Sequence, residues 1–444
     1  MRRLGKIKTI SGIKGSSAVL LAMIFTAFAI CIAGSIAISR QLVVKSECET
    51  FGRLWTKAIL SEYDTALLED YGIMAYFGDE AEVRGTIDDY IAYSAAGKLD
   101  ADFSGTVSEL AGYELGEPEN FREALKKSFA GSAAESVISG KSRHKRKTVQ
   151  ADPDGEEPSA GRKIGNTVVI DTLPSGGMHS SVDTGYITEH AESIGSSEGI
   201  RSAIASSGIE SLFIWQYFGN HVTTPDDKDS FFTNEWEYII RGSLDDDENL
   251  DSCRKRLFIV RNALDLASLY KDPEKVELLT TAAELITPGP LGAATQLLLA
   301  EAWAALEAEA DIQALYDNER VPVIKSAGQW KTGLGSVLDS DSVRKKLDDE
   351  AKQLLDENRE DIESMDREDH SGNIFTDGLN YDEHLMLMIL ALKKDVRLLR
   401  IIDLVQINMR IRHYRDFNLM EYMTGVRYTI KANGRDYYFE GRYR

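Results

Sequence analysis

Hydrophobic positions near the start of the chain are not periodic at all: from Gly15 to Ser39, "GSSAVLLAMIFTAFAICIAGSIAIS", no residue is charged. A helix rises about 1.5 Å per residue, so this stretch is long enough to cross a hydrocarbon core of about 30 Å with room to tilt. Directly after it the pattern becomes periodic. Val44, Cys48, Phe51, Trp55, Ile59 and Glu62 recur at steps of four and three, which places them on one helical face, and no Pro interrupts the chain from Gly15 through Leu68. The spacing predicts one helix that leaves the apolar segment and enters the folded body.

Further along, "EVRGTIDDYIAYSAAG" and "PENFREALKKSF" read as short helices with weak alternation between them. From Gly131 the composition turns to Gly, Ser, Ala, Lys and Pro, too poor in apolar surface to offset the entropy of ordering, and residues 131–163 are expected to be a flexible polar insert. "NTVVIDTLP" reads as a strand, "ITEHAESI" and "IESLFIWQYFGNHV" as helices. Helix signals then dominate. Asn249 or a nearby Asp should cap a run from Leu250 to Tyr270, Asp272-Pro273-Glu274 should start another, and the Ala-rich run from Pro290 to Tyr316 a third. Asn380 and Glu383 form a capping-box pattern ahead of "HLMLMILAL", which is apolar on every side and is expected to be a central buried helix.

At the C-terminus, "VRYTIKANGRDYYFEG" places Asn433-Gly434 where a two-residue type I′ turn needs two positive φ angles. That turn sets Ile430 opposite Tyr437 and Tyr428 opposite Phe439 on one face, with Lys431 opposite Asp436 and Arg427 opposite Glu440 on the other. A hairpin over 426–441 follows. Lone hairpins are marginal, and Thr167 to Ile170 is the candidate for a third strand. The fold class is therefore α+β: a long N-terminal transmembrane helix continuing into a mostly helical extracytoplasmic body with a small antiparallel sheet. The organisation reads as a basic tip over 1–14, a membrane helix over 15–39, a helical stalk and first part of the ectodomain over 40–130, the 131–163 insert, and a helix-rich ectodomain over 164–444.

Charge narrows the partners. The chain has 51 Lys and Arg against 72 Asp and Glu, a net charge of −21, and the basic tip makes the remainder more acidic still. Such a body repels phosphate backbones, so a nucleic-acid partner is set aside. Arg2, Arg3, Lys6, Lys8 and Lys14 precede the apolar segment while Glu47 and Glu49 follow it, which predicts a cytoplasmic N-terminus and an extracytoplasmic body over 40–444 in a single-pass protein of the cell membrane. A cleaved signal ending at "AGS" or "SIA" is the competing reading, against which stands an apolar run longer than such signals usually carry. A lipoprotein site at Cys31 is disfavoured by bulky Ile30.

Candidate chemistry is sparse. Cys31, Cys48 and Cys253 are odd in number, and at most the last two could join. The seven His residues form no H-x-x-x-H pair, and the acidic runs at Asp245 to Glu248 and Asp356 to Asp369 lack the alternation of a calcium loop and read as solvated surface. "GSSEG" at Gly195 to Gly199 matches the letters of a nucleophile elbow without the preceding strand, and "LPSGG" at Leu173 to Gly177 reads as a turn. Glu307 and Asp311 lie four apart on one helix, where Lys325 or Lys331 could neutralise them as a structural ion pair rather than leave them for acid/base work. No cofactor, metal or catalytic residue is predicted.

The opening "KGSSAVLLAMIFTAFAI" and the following "SECETFGRLWTKAILSEYDTALLEDYGIMAYF" resemble a family of Gram-positive membrane proteins that begin like the TadE and TadG pseudopilins of the tight-adherence (Flp) pilus system. "NTVVIDTLPS", "NEWEYIIRGSLDDDENL", "AEAWAALEAEADIQALYDNERVPVIKSAGQW" and "DGLNYDEHLMLMILAL" are similar to the same family. The resemblance implies a non-enzymatic structural or accessory component of a Tad/Flp-type pilus or related secretion apparatus, with the lipid bilayer and other membrane subunits as partners. It also implies leader processing between Gly15 and Ser16. Leu20 stands where pilin-like chains usually carry a Glu, which points to a minor component. Ala33, Gly34 and Ala37 would form a small-residue strip for helix packing, continued by the face of Val44, Cys48, Phe51, Trp55 and Ile59. The alternative class is a membrane-anchored envelope enzyme or ligand-binding receptor whose site is assembled from dispersed residues.

Overall fold

A computed structural model describes residues 13–95, 97, 101–129, 147–148, 196–225, 229–326, 328–366 and 378–443, with isolated positions between 173 and 187. The 131–163 insert and the Thr167 to Ile170 strand candidate lie outside these residues, apart from the two-residue strand at 147–148. The fold class is α+β, and the chain forms two compact units, each assembled from separated segments.

The first unit comprises Met1–Asp64, Ala75–Glu114 and Glu421–Arg444. Its first element, α1 (Ile13–Leu60), is one unbroken helix of 48 residues. Helix formers and the lack of Pro allow this length, and its hydroxyls are satisfied inside the helix: Thr26 Oγ1 donates to Ala22 O, Ser35 to Cys31 O, Thr50 to Ser46 O and Thr56 to Gly52 O. α1 stops at Leu60, two residues before Glu62, which lies exposed in the following turn.

Seven strands occur among the described residues: β1 (Tyr76–Phe77), β2 (Phe103–Glu109), β3 (Lys147–Thr148), β4 (Thr223–Thr224), β5 (Tyr422–Met423), β6 (Gly425–Ala432) and β7 (Arg435–Arg442). β2, β6 and β7 form an antiparallel sheet in that order, and β1 pairs with β5. The hairpin has the register expected from its sequence, Ile430 opposite Tyr437, Tyr428 opposite Phe439, Lys431 opposite Asp436 and Arg427 opposite Glu440. Asn433 and Gly434 take φ of 49° and 72°. On its other edge β6 pairs with β2. Gly105 and the polar run "FSGTVSE" hide β2 in the sequence. It is held by the helix Glu80–Tyr90, where Thr106 Oγ1 donates to Asp88 Oδ1 at 2.6 Å, and that helix begins with a capping box between Asp79 and Glu82.

The second unit comprises Thr65–Met74 and Leu115–Met420 and is helical apart from β3 and β4. Asp245, not Asn249, caps the helix Asp246–Lys271, and Asp272 caps Pro273–Ile286 with Pro at its first position. Gly292–Tyr316 packs against both, around Trp303, Trp330, Leu279 and Leu299. The capping box of Asn380 and Glu383 opens Tyr381–Leu390, and every residue of that helix from Tyr381 to Ile389 is buried. Its burial includes Asp382, Glu383 and His384, and so it requires polar partners as well as apolar ones.

Candidate membrane and packing interface

α1 changes surroundings abruptly along its length. Apolar residues from Val19 to Val43 are exposed, among them Phe25 at 72% and Ile30 at 71%, whereas Val44 is 5% and Cys48 1% exposed. The exposed part has a mean hydropathy of 2.5 over its best window, and among the described residues it lies in the one helix long and apolar enough to cross a membrane. Exposing so continuous an apolar surface to water is unfavourable by about 25 cal/mol per Å², and lipid removes that cost.

The buried part of α1 binds its own body. Val44 and Cys48 pack with Ala432, and Trp55 and Ile59 join Tyr428, Ile430 and Phe439 in the core of the first unit. Phe51 is half-buried and stacks on Trp55, with centroids 5.7 Å apart, and Trp55 Nε1 donates to Ser94 Oγ at 3.2 Å. Burial pushes the Cys48 thiol above its ordinary pKa, with Glu47 adding to the effect. Tyr428, pushed up to about 12 by burial, donates its hydroxyl proton to Gly52 O. Two glycines that the sequence reading passes over make this contact possible: a Cβ at Gly52 would run into the Phe439 ring, and one at Gly441 into Thr56. Gly52 sits inside the 44–59 periodic face, which is the signal that could have marked it.

Ala33, Gly34 and Ala37 lie on the exposed part, and nothing stands within 4 Å of a Cβ added at Gly34. Gly15 and Ser16 fall in the first turn of α1. The structure thus joins Val44, Cys48, Phe51, Trp55 and Ile59 to one sheet and leaves the small-residue strip uncovered.

The candidate catalytic pair has a different setting. Lys325 Nζ binds Asp311 Oδ1 at 2.8 Å and also contacts Glu307, while Arg261 Nη2 binds Asp311 Oδ2 at 2.6 Å and Asp265 Oδ1 at 2.9 Å. All five side chains are fully buried. Glu307 also accepts from the Lys331 and Thr332 amides, but the Lys331 ammonium goes to Glu319. Desolvation would raise Asp311, yet Arg261 and Lys325 outweigh it and hold it below the usual carboxylate range. Desolvation raises Asp265. With their side chains out of water, these carboxylates are matched by Arg261 and Lys325 and tie the helices Asp246–Lys271 and Gly292–Tyr316 together.

Other sequence candidates resolve into local structure. Ser196 caps the helix Ser197–Ser207 through Gly199 N, which puts the "GSSEG" serine in a first helical turn, and Pro174 to Gly176 form a turn closed by Gly176 N to Leu173 O. In the Asp245 to Glu248 run Asp245, Asp247 and Glu248 are exposed, Asp245 also serving as a cap, and Asp246 alone departs from the solvated reading: it is buried and accepts from Thr233 N and Asn234 N. Asp356 pairs with Arg344 at the surface. Cys48 and Cys253 are both buried and unbridged.

These features define an α+β protein whose N-terminal helix is half apolar surface and half core. Residues 117–434 match the profile of DUF5702, a family of unknown function, and the chain belongs to that family. The matched region takes in most of the helical unit and the first hairpin strand and does not include α1. Comparison with curated proteins and with solved structures returned no match.

Proposed function

We propose that the protein is a single-pass, non-enzymatic membrane component whose α1 spans the bilayer with its N-terminus in the cytoplasm and whose body stands outside. In this reading it serves as a structural or accessory subunit of a Tad/Flp-type pilus or related secretion apparatus. The observation that carries it is the uninterrupted passage of α1 from a wholly exposed apolar segment into the core of its own sheet. A linker would let the body move independently of the anchor; a continuous helix transmits position and load between them. The start-of-chain resemblance to TadE and TadG supports the pilus assignment, and the strip of Ala33, Gly34 and Ala37 offers close approach to another membrane helix.

The test is crosslinking in cell membranes through a cysteine placed at Ala33, combined with mass spectrometry of the protein's N-terminus. We expect the protein to stay in the membrane after alkaline extraction, to begin at Met1 or Ser16, and to crosslink to another membrane subunit. G34L/A37L should abolish that crosslink. Recovery of the body in culture fluid without residues 15–39, or a crosslink indifferent to G34L/A37L, overturns the reading.

A further inference from the structure

The buried charge cluster of the helical unit has one carboxyl more than it has cations. Among the described residues, Asp265, Glu307 and Asp311 meet two cations within 4 Å, Arg261 and Lys325. His384, which feels the charges of Arg261 and Asp311, adds no third, because burial pushes its imidazole down to about 4. None of the three carboxyls is exposed, so full ionisation would strand a negative charge out of water. One of them therefore keeps its proton.

The hydrogen bonds single out Asp265. Glu307 accepts from the Lys331 and Thr332 amides, from the Thr332 hydroxyl and from Lys325, and Asp311 accepts from Lys325 and twice from Arg261. Asp265 has one such bond, from Arg261 Nη2 to Oδ1 at 2.9 Å, and its Oδ2 is buried without a partner. Desolvation raises it accordingly. Lys325 Nζ donates to Glu307 and Asp311 and lies 3.7 Å from Asp265 Oδ1, too far for a hydrogen bond but close enough for reaction after a small shift. An amine nitrogen is thus set beside a neutral carboxyl, with two carboxylates to take its protons and every side chain out of solvent.

We propose that Lys325 and Asp265 condense into an intramolecular amide, a covalent tie between the helix Asp246–Lys271 and the segment that follows Gly292–Tyr316. Nζ passes one proton to Glu307 and attacks Asp265 Cγ as the amine. As the Nζ–Cγ bond forms, the carbonyl electron pair moves onto Oδ1, where Arg261 already donates. The pair then returns, the Cγ–Oδ2 bond breaks, and Oδ2 leaves as water with its own proton and a second one from Nζ. The amide is neutral, Glu307 is left protonated, and Arg261 and Asp311 remain as a matched pair. Burial favours this product, because it holds fewer charges out of water than the reactants do. The tie lies within the helical unit and is independent of whether α1 spans the bilayer.

The experiment takes the full chain from cells, denatures it, digests it with trypsin and reads the peptides by mass spectrometry. We expect residues 262–271 to appear joined to residues 321–331, uncut after Lys325 and lighter by one water than the two peptides together. Fragment ions should place the bond between Asp265 and Lys325. E307Q keeps both reacting groups and removes the first proton acceptor, so in a chase after a pulse of synthesis the joined peptide should form about a hundredfold more slowly. Finding only the separate peptides in the parent chain overturns the inference, whatever E307Q does. A bond from Lys325 to Glu307 or Asp311 overturns the choice of Asp265, and joining in E307Q at the parental rate overturns the proton route.

Discussion

In the helix–sheet unit the buried polar side chains are hydroxyls, Thr56, Thr106, Ser108 and Thr424, each bonded to backbone or to a neighbouring side chain. In the helical unit they include formal charges on several helices: Glu235, Glu237, Arg261, Asp265, Glu307, Asp311, Lys325, Arg400 and Asp403 are all 5% exposed or less. A hydroxyl accepts burial at small cost once it is bonded, but a charge needs its counter-charge in place. The unit that carries the anchor should therefore tolerate changes of pH and single polar substitutions, and the helical unit should not. Charge pairs of this kind also discriminate against wrong helix pairings, since any register that separates Arg261 or Lys325 from its carboxylates strands a charge.

Hydrogen exchange on the full chain reads the two units separately and tests this contrast. The largest effect is expected from Lys325→Met, which leaves Glu307 and Asp311 facing each other with only Arg261 nearby; a loss of about 3–5 kcal/mol follows for breaking a buried pair from one side. Amides of 246–316 should lose protection while those of β6 and β7 keep theirs. Equal loss in both units would erase the distinction.

A change of pH should have the next largest effect. Burial pushes Glu235 and Glu237 up to about 7, against the hydrogen bonds that Gly219 and Asn408 donate to the first and Tyr381 and His221 to the second. Their folded pKa lies above the unfolded one, so the stabilisation is complete below the unfolded value and drains away as pH rises through about 7. His384 acts in the other direction: burial, then the Arg261 charge, pushes it down to about 4, and its contribution, full above the unfolded value, is lost as pH falls through 4. The helical unit should thus be most protected near pH 4 to 5, since two carboxyls lose their contribution above that range while one imidazole regains its own, and it should lose about 3 kcal/mol by pH 8, with the β6–β7 amides nearly unchanged after correction for intrinsic exchange.

Gly52→Val reverses the sensitivity. Its side chain meets the Phe439 ring, and overpacking at this contact should cost about 2 kcal/mol in the helix–sheet unit alone. Asn433→Ala should have the smallest effect, about 1 kcal/mol, from a positive φ without Asn and the lost bond to Asp102 N. Loss of protection in the helical unit as well on Asn433→Ala would break the comparison.

Much of the local architecture was legible. The hairpin register follows from one turn and four cross-strand pairs, and Asp272-Pro273 and Asn380 with Glu383 start their helices where these residues satisfy the first amides. The 44–59 face of α1 was legible because its period is that of a helix. β2 was not: Gly105 and serines at 104 and 108 weaken its alternation, and it becomes a strand through Asp88 and the open edge of β6. Glu307 and Asp311 were visible as a pair, yet Arg261 and Asp265, which complete their charge cluster, come from another helix with no local signal linking the two.

The sequence by itself determined where helices start, how the last hairpin turns, and that a helix of membrane-spanning length and apolarity lies near the N-terminus, because each depends on interactions within a few residues. Tertiary structure decided that the C-terminal hairpin belongs with α1, that Gly52 must be small, and that five charges close on one another out of water. Those outcomes depend on which distant surfaces meet and exclude solvent, and no stretch of chain contains both surfaces.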